Sequence, residues 1–268
     1  MSTLFEIGDL HFRYQGLEAL RGLTLDIAAG ERLVLLGANG SGKSTLLRLL
    51  DALCFPSAGT LRFDGQALTE EALSEDAANF AFRRRVALLF QNPEAQLFNP
   101  TVFDEVAFAP LQLGWPAEKI IAAVDETLAM LDISHLKERP PYRLSGGEKK
   151  RVALASVLVF DPEVLLLDEP TAALDPRTQS HFVDLIQSWR GSGRTVITAT
   201  HQLEIVAELA DRVAVLRQGQ LLATGTPQEI LANNHLLLEA NLVHSHKHQH
   251  DGVEHSHPHF HGHNHTHE

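Results

Sequence analysis

Residues 37–45 read Gly37-Ala38-Asn39-Gly40-Ser41-Gly42-Lys43-Ser44-Thr45, which follows the pattern G-x-x-x-x-G-K-[S/T]. An apolar run, Leu33–Leu36, precedes this stretch, and the largely apolar run Leu46–Leu50 follows it. This order predicts a strand, a glycine-rich loop and a helix, which is the arrangement of a phosphate-binding loop. Glycines let the backbone come close to an anion, and the N–H groups of the loop and of the helix N-terminus then point at it.

Two side chains of this loop extend the prediction to a nucleotide and its metal ion. The Lys43 ammonium is placed to bind the β and γ phosphates, and the Ser44 hydroxyl to ligate Mg²⁺. The complete pattern between a strand and a helix argues against an ordinary Gly/Ser turn. The candidate nucleotide-binding residues of the loop are Gly37, Asn39, Gly40, Ser41, Gly42, Lys43, Ser44 and Thr45.

The composition is that of a globular protein. The chain has 268 residues, of which 44% are hydrophobic and 21% charged, and this length allows a sizeable core. Because the sequence shows no run of about 18 apolar residues and no signal-peptide pattern at Met1–Glu6, we expect neither a membrane span nor a leader. The net charge of −12 argues against a broad nucleic-acid-binding surface. The single cysteine, Cys54, excludes an internal disulfide and favours a reducing compartment.

Two adjacent carboxylates follow a second predicted strand. The apolar run Val164–Leu167 ends in Asp168 and Glu169. Asp168 can hold Mg²⁺, while Glu169 can orient or deprotonate the attacking water. An ordinary helix start would also explain these residue types, but it would not explain their place downstream of a phosphate-binding loop.

Two further polar residues stand at the ends of predicted strands. In open α/β sheets the carboxyl ends of the strands face the ligand. Gln91 follows the strand Val86–Phe90 and can reach a metal ion or a water near the γ-phosphate. His201 follows the strand Thr195–Ala199 by one residue and can hydrogen-bond the γ-phosphate or the water. A lone histidine there would usually be structural, but the other strand-end groups favour a catalytic role.

A second glycine-containing motif opens a predicted helix over 149–160. Ser145 and Glu148 of the stretch 144–148 match a capping box, which is a purely structural explanation. Gly146 and Gly147 would each cost a helix about 1 kcal/mol relative to alanine, and a cap does not require them. Because the N–H groups of a helix N-terminus bind anions, the motif is also a candidate second anion site.

Three stretches leave alternatives open. Tyr14 could stack on a purine ring or be an ordinary aromatic at the end of a strand. Apolar side chains of Gln96–Phe98 could form a partner surface or pack on the predicted helices 102–109 and 117–131. Arg83–Arg85 could bind a phosphate, although a solvated helix end is favoured.

Together these motifs resemble the nucleotide-binding subunit of ABC transporters over residues 4–232. The matching motifs are Gly37–Thr45 (Walker A), Gln91 (Q-loop), 144–148 (signature), Val164–Glu169 (Walker B), 173–175 (D-loop) and His201 (H-loop). Glu148 is a mild departure, since the family more often has Gln there. The resemblance implies an α/β fold: a P-loop NTPase core, RecA-like with a mostly parallel sheet, an N-terminal antiparallel β-subdomain and a helical insertion subdomain.

The resemblance also implies how the chain works. ATP, with Mg²⁺ held by Ser44, Gln91 and Asp168, would lie between the phosphate loop of one subunit and Ser145, Gly146 and Gly147 of a second. The two subunits would form a head-to-tail dimer that ATP closes and hydrolysis releases, with Asp175 communicating across the interface. The family carries an aromatic that stacks on adenine upstream of the loop, which favours that role for Tyr14. The catalytic residues would be Glu169, His201 and Gln91.

The stretches 91–98 and 101–110 are more particular. They are similar to the ATPase subunits of energy-coupling-factor importers, which take up vitamins, nickel or cobalt, and residues 144–155 fit that branch too. This similarity implies a peripheral protein at the cytoplasmic face of the inner membrane. Its partners would be a second ATP-binding subunit, a transmembrane coupling subunit and a substrate-binding membrane component, with no nucleic acid.

Residues 244–268 differ from the rest of the chain. They hold 11 of its 16 histidines: His244, His246, His248, His250, His255, His257, His259, His261, His263, His265 and His267. We expect this polar tail to be disordered without a ligand and to bind transition metals such as Ni²⁺, Co²⁺ or Zn²⁺. A purification tag or a passive tail would be the alternatives, but tags are usually uninterrupted histidines.

We therefore expect three regions: an ABC ATPase domain over 1–232 with a helical subdomain over about 92–160, a helical end over 233–243, and the histidine-rich tail over 244–268. The predicted function is ATP hydrolysis that drives import of nickel or cobalt. The competing hypotheses are a vitamin importer with an accessory tail, a soluble nucleic-acid-associated ABC ATPase, and a metal store that happens to bind ATP.

Overall fold

A computed structural model describes residues 2–172, 174–250 and 253–259 of the chain, and for residues 244–250 and 253–259 it describes the backbone alone. The strands are β1 (Thr3–Tyr14), β2 (Leu17–Ala28), β3 (Arg32–Leu36), β4 (Ala58–Phe63), β5 (Gln66–Ala67), β6 (Val86–Leu89), β7 (Val164–Asp168), β8 (Thr195–Thr200), β9 (Arg212–Arg217), β10 (Gln220–Gly225), β11 (His244–His250) and β12 (Val253–His259). The helices are α1 (Lys43–Leu50), α2 (Asp76–Arg85), α3 (Val102–Gln112), α4 (Ala117–Met130), α5 (Gly146–Leu158), α6 (Pro176–Ser188), α7 (Val206–Leu209), α8 (Pro227–Ala232) and α9 (Asn234–Glu239). Short 3-10 turns lie at Pro93–Ala95, Ser134–Leu136, Pro141–Arg143 and Leu203–Ile205.

A six-stranded sheet forms the centre of the molecule, in the order β10-β9-β3-β8-β7-β6. Neighbouring strands from β9 to β6 run parallel, and β10 pairs antiparallel with β9 around the turn at Gln218 and Gly219. Every residue of β3, β7 and β8 is buried, as expected for parallel strands that are covered on both faces. The mostly parallel α/β core predicted from the sequence is therefore confirmed.

Two apolar cores cover the two faces of this sheet. One joins α3, α4 and α5 to the sheet, with Val106, Val124 and Leu154 fully buried in it. The other joins α1 to an antiparallel sheet in the order β2-β1-β4-β5, through side chains such as Phe5, Leu20 and Leu47. Helices α3, α4 and α5 thus lie on one face of the parallel sheet, and α1 lies with the antiparallel sheet on the other face.

The antiparallel sheet is longer than the sequence predicts. The sequence predicts short strands at Leu4–Ile7 and at Leu23–Ile27, where apolar and polar residues alternate. In the structure, β1 and β2 each run for 12 residues. Irregularities explain the difference, because β1 changes register between Ile7 and Leu10 and Asp9 takes a positive φ of 46°. A bulge of this kind breaks the alternating apolar pattern from which the length of a strand is predicted.

The helices of the 92–160 stretch lie close to their predicted positions. α3 and α4 span Val102–Gln112 and Ala117–Met130, against expected helices of 102–109 and 117–131. Pro110 lies inside α3 near its end, so that the helix continues past the residue where the sequence predicted its stop. In the part of the chain described by the structure, no helix has the length and apolar character needed to cross a membrane.

The tail carries strands where the sequence predicted disorder. β11 and β12 pair antiparallel, and their register places His244 opposite His259, His246 opposite His257, and His248 opposite His255. The backbone of 244–250 and 253–259 therefore differs from the expectation. The predicted metal-binding side chains of the tail lie outside what the structure describes.

Candidate nucleotide-binding site

A cavity of about 720 Å³ opens at the carboxyl edge of the parallel sheet. The loop between β3 and α1 forms its floor, and β1, β2 and the strand ends form its walls. Its lining residues are Tyr14, Leu17, Glu18, Ala19, Arg21, Asn39, Gly40, Ser41, Gly42, Lys43, Ser44, Thr45, Gln91, Glu169 and Gln218. The structure thus brings together the predicted loop residues, the predicted aromatic, the Q-loop glutamine and one of the two predicted carboxylates.

Close approach explains the two glycines at the ends of the loop. A Cβ at Gly37 would lie 2.5 Å from the Leu216 carbonyl oxygen and from Ser41 Oγ. Gly42 has a φ of +106°, and a Cβ there would lie 2.9 Å from Leu20 Cδ2. Since α1 begins directly at Lys43, the loop delivers a helix N-terminus with no side-chain cap into the cavity. Its first N–H groups are available to an anion.

Lys43 is buried and held by the loop itself. Its ammonium donates to the carbonyl oxygens of Gly37 (2.7 Å) and Ala38 (3.2 Å). It also lies 3.8 Å from Glu169 Oε1. Burial lowers the pKa of this ammonium, and the charges of Glu169 and Asp168 act in the opposite direction. A phosphate group entering the cavity would give Lys43 an anionic partner at hydrogen-bonding distance, closer than the Glu169 carboxylate at 3.8 Å.

Oxygen ligands suited to Mg²⁺ meet beside this lysine. Ser44 Oγ donates to Asp168 Oδ1 over 3.0 Å, and Gln91 lines the same cavity. Burial raises the pKa of the Asp168 carboxyl, while the Ser44 hydrogen bond lowers it. A hydroxyl, a carboxylate and an amide oxygen form a hard donor set that fits a magnesium ion carried in with a nucleotide.

Glu169 lies at the centre of a hydrogen-bond network. Its side chain is 5% exposed, with Oε1 2.7 Å from His201 Nδ1 and Oε2 accepting from Thr200 Oγ1 over 3.2 Å. His201 itself is 45% exposed and reaches the rim of the site. The arrangement gives a carboxylate with fixed orientation beside an imidazole and an ammonium, as an acceptor for a water proton requires.

Tyr14 stands at the opposite wall. It is 39% exposed, packs edge-on against Phe12 at 4.7 Å between ring centroids, and accepts a hydrogen bond from Arg48 (3.2 Å). An aromatic of a strand end would make these contacts, and a ring placed to stack on a base would make them too. Stacking on adenine by Tyr14 therefore stays a prediction.

The signature motif is not part of this cavity. Ser145 and Glu148 form the predicted capping box, with Ser145 N donating to Glu148 Oε2 over 2.8 Å. Ser145 and Gly146 are exposed, and a Cβ at Gly146 would meet no atom within 4 Å. The glycines therefore leave the backbone of the α5 N-terminus open to an approaching molecule, which a capping box alone does not require.

Asp175, the last D-loop residue, caps α6. Its carboxylate accepts from the backbone N–H groups of Arg177 and Thr178, both at 3.1 Å, and from the Thr178 hydroxyl at 2.6 Å. These hydrogen bonds lower the pKa of the Asp175 carboxyl, and the one from the Thr178 hydroxyl has the largest effect. Ala173 of the same motif lies outside the described residues.

Arg83–Arg85 do not face the nucleotide cavity. They lie at the end of α2, as predicted, but they form hydrogen bonds and ion pairs with other residues and are not only solvated. Arg83 donates to the Asp51 carbonyl oxygen (2.6 Å), and Arg85 pairs with Glu163 (2.7 Å) and Asp64 (2.9 Å). A role of these arginines in phosphate binding is thereby disfavoured.

Sequence reasoning missed several lining residues. Gln218 comes from the turn between β9 and β10, and Leu17 and Glu18 from the start of β2. Thr200, which the sequence places between the strand Thr195–Ala199 and His201, was assigned no role, although its hydroxyl orients Glu169. Its place next to His201 at a strand end was the available signal, whereas nothing local marks Gln218.

Known proteins match the chain over most of its length. A family profile described as "ABC transporter" matches residues 20–172. The chain is 54% identical to the nickel import ATP-binding protein NikO of Rhodobacter capsulatus, over 91% of this chain and 97% of that protein. It is 41% identical to the energy-coupling factor transporter ATP-binding protein EcfA of Methanothermobacter thermautotrophicus, over 89% and 76% of the two chains.

Solved structures share the fold. One is cbiO1 from Clostridium perfringens, described as part of the ABC transporter complex cbiONQ, with a TM-score of 0.75 and 36% identity over 90% of this chain and 96% of that one. Another is a dimeric post-hydrolysis state of the ATP-binding cassette MJ0796 bound to ADP and Pi, with a TM-score of 0.75 and 25% identity over 84% and 99%.

Proposed function

The chain belongs to the ABC transporter family as an ATP-hydrolysing subunit, and we propose that its ATPase activity drives the import of nickel or cobalt ions through a membrane complex. The similarity that carries the choice of substrate is the one to the nickel import ATP-binding protein, at 54% identity over 91% of this chain. The similarity to a subunit of the cbiONQ complex supports the same class of importer.

In the proposed reaction the loop binds the phosphates of ATP. The N–H groups at the start of α1 and the Lys43 ammonium would bind the β and γ phosphates. Ser44, Asp168 and Gln91 would hold Mg²⁺, and the bound ion would neutralise part of the negative charge of the phosphates. The buried position of Lys43 strengthens its attraction to phosphate, because fewer water molecules compete.

Glu169 is the proposed acceptor for the proton of the attacking water. Its carboxylate is held from two sides, by Thr200 at Oε2 and by His201 at Oε1. Such a fixed acceptor in a cavity with the phosphates orients the water for in-line attack. His201, which is partly exposed, would contact the γ-phosphate or the water from the rim of the site.

A second subunit would complete each site. Ser145, Gly146 and Gly147 present an open helix N-terminus away from the cavity of their own chain, so that they could bind the nucleotide of another subunit. The dimeric state of the similar cassette bound to ADP and Pi supports this arrangement. We propose a head-to-tail dimer, with the identity of its second subunit open.

The proposed membrane partner would dock on a second, apolar cavity of about 390 Å³. Aromatic side chains line it, including Phe80, Phe98 and Phe108, whose exposed fractions are 46%, 68% and 38%. Phe98 and Phe108 contact each other edge-on at 5.0 Å. An exposed aromatic cluster of this kind is typical of a protein-binding surface, and docking there would place the chain at the cytoplasmic face of the membrane.

The tail is proposed to bind the transported metal before or after passage. Its 11 histidines carry imidazole nitrogens, which are suitable ligands for nickel, cobalt and zinc. The backbone register of β11 and β12 sets three histidines of one strand opposite three of the other. Truncation after Val243 should remove most of the metal bound per chain, and unchanged binding would refute this role.

Cellular metal content tests the proposed substrate. We expect deletion of the chain from its source cell to lower nickel or cobalt selectively, as measured by elemental analysis. The wild-type chain should restore the metal, whereas Glu169→Gln should not. Unchanged nickel and cobalt on deletion would reject metal import, and vitamin uptake assayed in the same strains would then identify the alternative importer.

A further inference from the structure

Lys150 is a buried cation that the proposed reaction does not use. It lies on α5, four residues after Gly146, and is 2% exposed. Its ammonium donates to the carbonyl oxygen of Glu169 over 2.6 Å and lies 3.4 Å from that of Ala172. The neighbouring Lys149 points elsewhere and pairs with Glu94 over 2.5 Å.

The position of Lys150 is costly for a residue that only fills space. Burial lowers the pKa of its ammonium to about 8, while the charges of Glu169 and Asp168 raise it. Its described hydrogen-bond partners are neutral carbonyl oxygens, which replace the lost water incompletely. An apolar side chain of the same length would fill this space without that cost.

Glu169 needs support from its surroundings, because its backbone is in the left-handed region with a φ of +46°. For a residue other than glycine this conformation costs about 1–2 kcal/mol. The Glu169 N–H donates to Ala199 of β8 over 2.9 Å, while its carbonyl accepts from Lys150 and, over 3.2 Å, from the Ala172 N–H. The peptide on each side of Glu169 is therefore fixed, one by the sheet and the other by α5.

This contact connects two parts of the molecule that serve different sites. α5 begins at Gly146, which in the proposed dimer faces the nucleotide of the other subunit, whereas Glu169 faces the nucleotide of its own. We propose that Lys150 is a positioning residue that holds the Glu169 backbone in its reactive conformation and links its orientation to the position of α5. This inference rests on the proposed role of Glu169 in hydrolysis.

The test compares Lys150→Met with Lys150→Arg in the purified full-length chain. The methionine variant keeps the length of the side chain and removes the donor. We expect kcat to fall about tenfold or more with KM for ATP within twofold of wild type, since nucleotide binding does not involve this contact. Arginine, which can still donate to both carbonyl oxygens, should recover kcat to within about threefold. Lys149→Met, at the neighbouring lysine of the same helix that does not contact Glu169, is the matched control and should leave both constants within twofold.

A double variant separates positioning from general damage. If Lys150 acts through Glu169, adding Lys150→Met to Glu169→Gln should cause less than a twofold further loss, because the group it positions is already absent. A kcat for Lys150→Met within twofold of wild type would overturn the inference, and so would a full tenfold further loss in the double variant. If the methionine variant does not fold, Lys150→Leu, which also removes the donor, replaces it, with the same two criteria.

The failure of this inference can be told apart from that of the proposed function. A Glu169→Gln variant that hydrolyses ATP at the wild-type rate would reject the proposed base, whatever Lys150 does. An inactive Glu169→Gln chain together with a fully active Lys150→Met chain rejects only the positioning role. Because the readout is ATP turnover, it does not depend on which metal is transported.

Discussion

The nucleotide cavity and the apolar cavity differ in the charged groups that they contain and in the partners of those groups. In the first, the Glu169 carboxylate lies 3.8 Å from the Lys43 ammonium and 2.7 Å from His201 Nδ1. In the second, the buried carboxyl of Asp51 has Arg83 at 3.4 Å, and burial still raises the pKa of Asp51 to about 7. The first cavity is organised to receive an anion, while the second is organised around apolar contact.

One segment, 91–98, borders both cavities. Gln91 lines the nucleotide cavity, and Gln96 and Phe98 line the apolar one. Gln96 anchors the segment, since its Nε2 donates to Ala153 O and to Ser156 Oγ, both at 2.9 Å. An occupant of either cavity would therefore act on the same short piece of chain, which gives a physical route from the nucleotide to the proposed membrane partner.

The largest expected effect comes from removing the charge of Glu169. Glu169→Gln keeps the size of the side chain and one of its two acceptor oxygens but cannot accept a proton, so we expect kcat to fall at least about 100-fold. ATP binding should persist, because Lys43 and the loop are intact, and the trapped nucleotide should enrich the dimer. Phosphate release measures the turnover rate, and light scattering measures the mass of the dimer. A normal turnover rate would show that another group accepts the proton.

The second prediction concerns the pH dependence of the free energy of unfolding that the buried carboxyl of Asp51 produces. Because the pKa of Asp51 is raised to about 7, the folded chain keeps a proton that the unfolded chain loses above about pH 4. The stability from this group is therefore present at low pH and is lost as pH rises towards 7, by about 3 kcal/mol between pH 5 and pH 8. Asp51→Asn should remove that part of the pH dependence.

Urea unfolding at pH 5 and at pH 8 measures this loss of stability. The exposed Asp125 provides the control, since Asp125→Asn should leave the pH dependence as in the wild type. If Asp51→Asn and the wild type lose stability in parallel between pH 5 and pH 8, Asp51 is ionised throughout and the contrast between the cavities fails.

The third effect concerns the proposed docking surface. Phe98 is 68% exposed at the mouth of the apolar cavity, and an alanine there would remove the ring that contacts Phe108. We expect Phe98→Ala to weaken co-purification with the membrane subunits about tenfold, as an anchoring aromatic would. Tyr142→Ala is the control, because Tyr142 is 75% exposed but is not among the residues that line this cavity. Equal loss in both variants would argue against docking at this cavity.

The nucleotide cavity was largely predictable from sequence, and the apolar cavity was not. Loop residues such as Lys43 and strand-end residues such as Glu169 are marked by local pattern, and parallel strands bring their carboxyl ends to one edge. The family resemblance supplied the order of the motifs, and the predicted fold class is confirmed. The catalytic roles themselves remain predictions that the variants above test.

Contacts between distant segments could not be read from sequence. Arg83 and Asp51 are 32 residues apart, and nothing local shows that one will satisfy the backbone of the other. Lys150 falls in a row of four charged residues, Glu148–Arg151, in which no local pattern marks the one that is buried, yet it lies against Glu169. Only the packing of α5 against the sheet decides which of these charges is removed from water.

The smallest expected effect concerns Tyr14, the aromatic at the edge of the nucleotide cavity. If its ring stacks on adenine, Tyr14→Ala should raise KM for ATP about threefold to tenfold with little change in kcat, because an aromatic stack contributes about 1 kcal/mol. Tyr14→Phe should keep KM within twofold, since it retains the ring and loses only the hydrogen bond from Arg48. Stacking requires a base, so the alanine variant should bind inorganic triphosphate as the wild type does. Equal weakening of ATP and triphosphate would instead show that Tyr14 supports the wall of the cavity through Phe12 and Arg48.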